Sequence, residues 1–268
     1  MVVTTRSDFS PSYPQSSQLL PGQDIPQGHY ELGFTRSLAE LDEVLRLRFE
    51  VFNLELGEGL ETSRETGRDL DEFDAQCHHL KVRDLRANRI VGTYRMQTYE
   101  MATAARGFYS ADEFDLSALP ERIVRESVEV GRACVAADYR NNAVLFLLWR
   151  GLATYMRHAG KRYLFGCSSL TSQDPAEGTS LLRQLEAAGH MHPHFVVPPT
   201  ADYVCPVVED TLLPVEPVKV PKLFRTYLRI GAKVCGPPAI DRRFKTIDFL
   251  ILFDLDAMDE KTFRTFFL

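Results

Sequence analysis

Between residues 38 and 52 the apolar side chains Leu38, Leu41, Leu45, Phe49 and Phe52 return every three or four positions, the spacing of one helical face. Ser37 with Glu40 makes an S-x-x-E capping box and Gly57 is placed to stop the run, so a helix ending in aromatic residues is predicted. A short strand is predicted before it, over 30–35, and 79–84 with 89–99 reads as an antiparallel hairpin turning at 85–88. Ser110 and Glu113 repeat the capping-box spacing and predict a short helix. From 124 to 136 the chain alternates, Val124, Glu126, Val128 and Val130 against Arg125, Ser127, Glu129 and Gly131, which predicts a strand.

The period then changes. Residues 142–158 are apolar almost all round and end at Gly160, a helix that must be covered on most sides. A strand over 162–169, a helix opening at Pro175 with Gly189 beyond its end, a basic helix over 219–233 and a strand over 245–255 follow, with a short amphipathic helix closing the chain. Residues 190–218 are Pro-rich and irregular, and no element is assigned there. Residues 1–28 carry Pro11, Pro14, Pro21 and Pro26 among polar residues and are expected to be a flexible extension to a single domain over 29–268. A hairpin followed by alternating strands and helices gives an α/β fold: a mixed, mostly antiparallel sheet with helices on both faces.

Composition acts mainly by exclusion. The chain has 268 residues, 44% hydrophobic and 25% charged, with a net charge of -6, whereas a nucleic-acid-tracking surface would push the domain basic. Cys77, Cys134, Cys167, Cys205 and Cys235 are odd in number and form no C-x-x-C pair, so neither a disulfide framework nor a zinc site is expected and a reducing, cytoplasmic compartment fits. His190, His192 and His194 alternate, yet Pro193 interrupts them and no carboxylate pattern completes a metal site. No apolar run approaches the roughly 20 residues that cross a bilayer, which leaves a peripheral place on the inner membrane face compatible.

Four spaced pairs carry the candidate chemistry: Arg48 with Phe52, Asp71 with Asp74, Gly92 with Arg95, and Glu129 with Arg132. Their order resembles the R-x-x-x-F, D-x-x-D, G-x-x-R and E-x-x-R series of acyl-homoserine-lactone synthases, within the GNAT superfamily of N-acyltransferases. Over 37–255 the segments RLRFEVFNLELG, DEFDAQCHHLKV, IVGTYRMQ, EVGRACVAADYRNNAVLFLLWRGL, YLFGCSSL and YLRIGAKVCGPPAIDRRFKTIDFLIL resemble bacterial ornithine-acyl carrier protein N-acyltransferases and N-acyl amino acid synthases more closely. The resemblance implies a GNAT fold, transfer of a long fatty acyl group from an acyl carrier protein thioester to an amino acid, and a sheet splayed to admit pantetheine. Ornithine is the first acceptor expected and glycine or another simple amino acid the next.

Amide formation needs an unprotonated amine, and Glu129 is the candidate base; the alternative is a structural ion pair with Arg132. Residues three apart on a regular strand face opposite ways, so a shared site for Glu129 and Arg132 requires an irregularity, for which Gly131 is placed. Such a bulge would also offer N–H groups to the developing oxyanion. Arg95 and Arg132 could hold the acceptor carboxylate. Asp71 and Asp74 could neutralise Arg48, Arg95 or Arg132, or recognise a second amine. With Arg48 and Phe52 these make the expected substrate site. Phe52, Phe146 and Trp149 are candidates for an acyl tunnel, with plain core packing favoured for Phe146.

Donor phosphopantetheine is expected at Ala133, Val135, Arg140, Asn141 and Asn142. The 140–145 stretch lacks the glycines of an acetyl-CoA pyrophosphate loop, which favours carrier-bound phosphopantetheine over coenzyme A, with no bound cofactor besides the donor. Lys219, Lys222, Arg225, Arg229 and Lys233 reverse the local charge and could dock an acidic carrier protein or anionic lipid, or simply be a solvated face. Two other classes stay open: a covalent thioesterase using Cys167 or Ser168, and an inactive module that binds acyl carrier protein or lipid. Neither a G-x-S-x-G elbow nor ordered His and Asp partners supports the thioesterase, and intact Glu129 and Arg132 count against the module.

Overall fold

The computed structural model describes residues 13–209 and 212–267. In chain order the strands are β1 (Ile25–Gln27), β2 (Tyr30–Phe34), β3 (His78–Asp84), β4 (Arg89–Thr98), β5 (Ser127–Val135), β6 (Tyr163–Leu170), β7 (Lys233–Val234), β8 (Ala239–Asp241) and β9 (Thr246–Asp254). The helices are α1 (Leu38–Arg48), α2 (Ser63–Thr66), α3 (Tyr99–Thr103), α4 (Ser110–Glu113), α5 (Glu121–Arg125), α6 (Asn142–Ala159), α7 (Pro175–Ala187), α8 (Lys222–Arg229) and α9 (Glu260–Phe267). Two compact units divide the chain, where the sequence suggested one domain: 1–107, 130–161 and 264–268 form the first, 108–129 and 162–263 the second.

In the first unit β1 to β4 are antiparallel neighbours, with Leu32 opposite Val82 and Leu80 opposite Tyr94. Helix α6 packs on them. Its close approach depends on two glycines: a Cβ at Gly151 would stand 2.9 Å from Leu32 Cδ1, and one at Gly92 on β4 would meet Val144 Cγ1 at 3.1 Å. Asn141 caps α6, its side chain accepting the N–H of Ala143 and of Val144 at 3.0 Å, and Gly160 ends it in the left-handed conformation.

The N-terminal segment differs from the expected extension. From residue 13 onward it is packed: β1 pairs with β2, Leu20 is buried, and Tyr13 Oη lies 2.6 Å from Thr35 Oγ1. Apolar periodicity is absent because the segment is held by hydrogen bonds and single side chains rather than by a stripe. Residues 1–12, which shared that expectation, lie outside the described residues.

The run predicted as one helix to Phe52 changes winding instead. Helix α1 ends at Arg48, and Phe49–Glu55 continues as a π-helical turn, a widening that sequence periodicity does not register. Ser37 accepts the N–H of Glu40 at 3.3 Å as read, but the Glu40 carboxylate accepts from Arg36 N–H at 2.7 Å.

In the second unit the first three residues of β5 run parallel to β6, Glu129 opposite Phe165. Strand β9 is antiparallel to β6, with Cys167 opposite Leu250, and carries β7 and β8 as further antiparallel partners. The start of the predicted 124–136 strand is helical: α5 takes up residues to Arg125, with Arg122 and Arg125 each paired to a glutamate one turn away. Asp174 caps α7 through the N–H of Ala176 at 2.9 Å. Helix α8 buries Phe224 and Leu228 and leaves Lys222, Arg225 and Arg229 exposed.

Candidate active site

Within the first unit, three arginines and three aspartates share a buried cluster. Arg48 ends α1 and is 0% exposed; its Nε donates to Asp69 at 2.8 Å and its Nη1 to Asp74 at 2.5 Å. Arg95, on β4, donates from Nη1 to both Asp71 oxygens at 2.6 Å and to Asp74 at 3.1 Å. Arg132 Nε lies 3.6 Å from Asp69 and its Nη2 3.9 Å from Asp71, with its guanidinium over the Phe52 ring at 5.4 Å. The loop holding the aspartates is tied by its own backbone, since Asp74 accepts the N–H of Asp71 at 2.8 Å and Asp71 that of Phe73 at 2.9 Å.

Six charges can be kept from water only because opposite signs are interleaved. Burial opposes ionisation of Asp74, yet Arg48 and Arg95 beside it hold its carboxyl well below the usual carboxylate range. His79 Nε2 also lies 3.2 Å from Asp74, and burial keeps that imidazole below its usual value. The cluster bears on the expected substrate site. Arg48 is divided between Asp69 and Asp74 without solvent exposure and Arg95 donates to Asp71 and Asp74, which is the neutralising arrangement the sequence left open for these aspartates. Asp69 was missed, although its spacing to Asp71 continues the same acidic pattern.

The irregularity expected at Gly131 falls one residue later. Arg132, inside β5, has φ 48°, a left-handed conformation uncommon for a residue with a side chain. Asp69, Asp71 and Phe52 hold the Arg132 head group and so help retain the strained backbone.

Glu129 lies in the second unit and is buried. Its Oε2 accepts the N–H of Tyr109 at 2.9 Å and its Oε1 that of Ser110 at 2.7 Å, at the opening of α4. The cap of this helix thus comes from a residue distant in sequence, not from Ser110 as the S-x-x-E spacing suggested. Each carboxylate oxygen has a second lone pair, so the anchored group can still accept a proton. Cys167 Sγ lies 3.5 Å from Ser110 Oγ and 3.6 Å from Glu113 Oε2. Burial, then the neighbouring Glu113 and Asp248, push its thiol well above the usual range, so it is no nucleophilic thiolate.

At the expected donor end, Arg140 donates to both Glu55 oxygens, from Nη2 at 2.6 Å, and its Nε to the Val135 carbonyl at 3.2 Å. Asn141 already satisfies two N–H groups of α6, while Ala133 and Val135 on β5 and exposed Asn142 stand beside this end of the helix in sequence. Phe146 and Trp149 pack on Phe266 at 5.6 and 5.8 Å. His192 Nδ1 accepts the N–H groups of His194 and Phe195, so 190–194 turns instead of extending. Among the described residues, the group that could hold a metal is Glu113, Asp241 and Asp248, in the second unit. No helix among those residues is long and apolar enough to cross a membrane.

An acetyltransferase (GNAT) domain model matches residues 47–150. The L-ornithine N(alpha)-acyltransferase of Brucella abortus (strain 2308) is 32% identical over 253 residues, 87% of each chain. The protein of that name from Rhizobium meliloti (strain 1021) is 31% identical over 263 residues, 91% of this chain and 87% of its own. Among solved structures, a CoA-dependent acyl-homoserine lactone synthase with SAM and isopentyl-CoA is 16% identical, covering 84% of this chain and 79% of its own, with a TM-score of 0.47. With its mixed, mostly antiparallel strands, its GNAT domain and its relatives matched over most of their length, the chain is an acyltransferase of GNAT fold and belongs to the L-ornithine N(alpha)-acyltransferase family.

Proposed function

We propose that this acyltransferase moves a long-chain fatty acyl group from an acyl carrier protein thioester to the α-amine of ornithine by direct attack, with Glu129 as general base. The amine nitrogen bonds to the thioester carbon, the C–S bond breaks, and the amine proton passes through the Glu129 carboxylate toward the departing thiolate. The observation carrying this reading is the anchoring of Glu129 by the N–H groups of Tyr109 and Ser110, which fixes a buried carboxylate in one orientation. Ornithine as acceptor is supported by the names of relatives similar to this chain over most of its length.

A covalent route through Cys167 would need a thiolate, which burial and the neighbouring carboxyl groups disfavour. The left-handed backbone at Arg132 supports an irregularity in this stretch of β5. A carrier-protein donor fits the glycine-free 140–145 stretch and the occupied N–H groups of α6. Exposed Lys222, Arg225 and Arg229 offer that carrier, or an anionic membrane surface during product release, a basic face.

The test is an assay of purified protein with radiolabelled long-chain acyl carrier protein, acyl-CoA and acetyl-CoA against ornithine, glycine and other amino acids. Nα-acylornithine from the carrier donor is the expected main product. Thioester hydrolysis alone, an acylated cysteine trapped during turnover, or a preference for acetyl-CoA would each overturn the reading.

A further inference from the structure

Val215 and Val207 are the two most exposed large apolar side chains among the described residues, at 99% and 78%, and Leu212 is 67% exposed. Apolar residues scattered singly over a surface need no explanation, but these three lie close together in the second unit and directly precede the basic helix α8. The chain is fastened to α7 on both sides of them. The N–H of Val208 donates to Thr179 Oγ1 at 3.2 Å, and the Gln184 side-chain amide, oriented to satisfy both of its atoms, accepts the N–H of Val218 at 3.0 Å and donates to its carbonyl at 3.2 Å.

Pro214 and Pro217 bracket Val215. Each fixes its own φ and restricts the residue before it, so the backbone around Val215 has little freedom to lose when the side chain is covered.

The cations follow at once. Lys222, Arg225 and Arg229 recur at three and four residues along α8 and so share one face, opposite the buried Phe224 and Leu228. Exposed Lys219 stands just ahead of the helix, and no acidic residue occurs between it and Asp241. The acidic residues of the apolar stretch, Glu209, Asp210 and Glu216, all precede Lys219. An aliphatic tip and a cationic helix face therefore adjoin in a chain whose net charge is -6.

We propose that Val207, Leu212 and Val215 insert into the surface of an anionic bilayer while Lys219 and the cations of α8 pair with its headgroups. The basic face is the one offered above to a carrier protein or a membrane, and its occupation by a bilayer does not depend on which donor or acceptor is used. Aliphatic side chains gain from a hydrocarbon layer without a matching pocket, whereas a protein partner must supply a complementary cavity for them. The adjoining cations meet the negative potential of the headgroups. Exposed Glu209 and Glu216 would repel an acidic protein surface of fixed charge pattern, while lipid headgroups rearrange around them. Neither the apolar nor the ionic contribution is large alone, so attachment is reversible and needs both.

The test is co-sedimentation of the full chain with vesicles of phosphatidylcholine, alone or mixed with phosphatidylglycerol, at low salt and at about 0.5 M NaCl. Binding is expected on the anionic vesicles and should fall about tenfold or more on phosphatidylcholine alone or at high salt. Lys222→Gln, Arg225→Gln and Arg229→Gln together should weaken it about 100-fold. Val207→Ser, Leu212→Ser and Val215→Ser together should weaken it about tenfold or more and leave its salt dependence in place. No binding to either vesicle, or equal binding to both, overturns the proposal. Binding that the serine variant leaves unchanged is adsorption by charge alone and overturns it too, as does binding that the glutamine variant leaves unchanged. Capture of acyl carrier protein that is lost in the glutamine variant, with no vesicle binding, assigns the face to that carrier and likewise overturns it. Should a variant fail to fold, the unaltered protein still decides: it should raise the surface pressure of a phosphatidylglycerol monolayer, and no rise excludes insertion.

Discussion

Arg48 Nη1 donates to Asp74 Oδ1 at 2.5 Å in a place where neither side chain is exposed to solvent. Removing one partner leaves the other charge buried. Asp74→Asn should therefore cost about 3–5 kcal/mol of folding free energy, since Arg48 and Arg95 lose the negative charge they share in the interior. Denaturant unfolding measures it, and a loss below about 1 kcal/mol would show that the cluster is already hydrated.

Glu129→Gln separates anchoring from chemistry. The amide retains one acceptor oxygen but turns an NH₂ donor toward a backbone N–H, so a stability loss of about 1–3 kcal/mol is expected. Turnover at saturating substrates should fall by about 10² or more if the carboxylate also takes the amine proton. Lowered stability with unchanged kcat would reduce Glu129 to the cap of α4.

Gly151→Ala tests the packing of α6 on β2 and β3. The added methyl would press on the ends of the Leu32 and Leu80 side chains, which must shift within a close-packed core. A loss of about 1–3 kcal/mol is expected, against the gain that alanine normally brings to a helix interior. A thermal melt of the variant at or above the parent's midpoint contradicts this.

His78 gives stability a pH dependence of defined sign. Burial lowers its pKa from 6.5 to about 4, opposed by the Nε2–H donating to the Gln15 carbonyl at 2.7 Å. Neutral Nδ1 accepts from Tyr155 Oη at 2.8 Å, a bond that protonation destroys. Below pH 6.5 the unfolded chain takes up a proton that the folded one refuses, so stability falls with decreasing pH, by up to about 3 kcal/mol between pH 6.5 and 4. Unfolding free energies of the parent and His78→Gln across this range should differ in slope, and parallel curves would remove His78 as the source.

Much of the fold was legible because it rests on local rules. The hairpin of β3 and β4 follows alternation across a short turn, α6 runs between Asn141 and Gly160 as its cap and stop require, and α7 opens on Asp174 and Pro175. Other features were misread where a tertiary partner replaced a local one. Ser110 and Glu113 have capping-box spacing, yet Glu129 caps the turn and Glu113 is turned inward. The N-terminal segment carries no amphipathic stripe, yet Tyr13, Leu20 and β1 are packed.

By itself the sequence determined the order of elements, the identity of the charged pairs and the GNAT class, since periodicity, capping and ordered motifs are properties of residues near one another in the chain. Only the tertiary structure decided what those charges do. Asp69, Asp71 and Asp74 enclose arginines from α1, β4 and β5, while Glu113, Asp241 and Asp248 converge from α4, β8 and β9. Whether a carboxylate neutralises a neighbour or caps a turn depends on which distant segment lies within a few ångströms in a dry interior. There the cost of burying charge is set by position in space rather than along the chain.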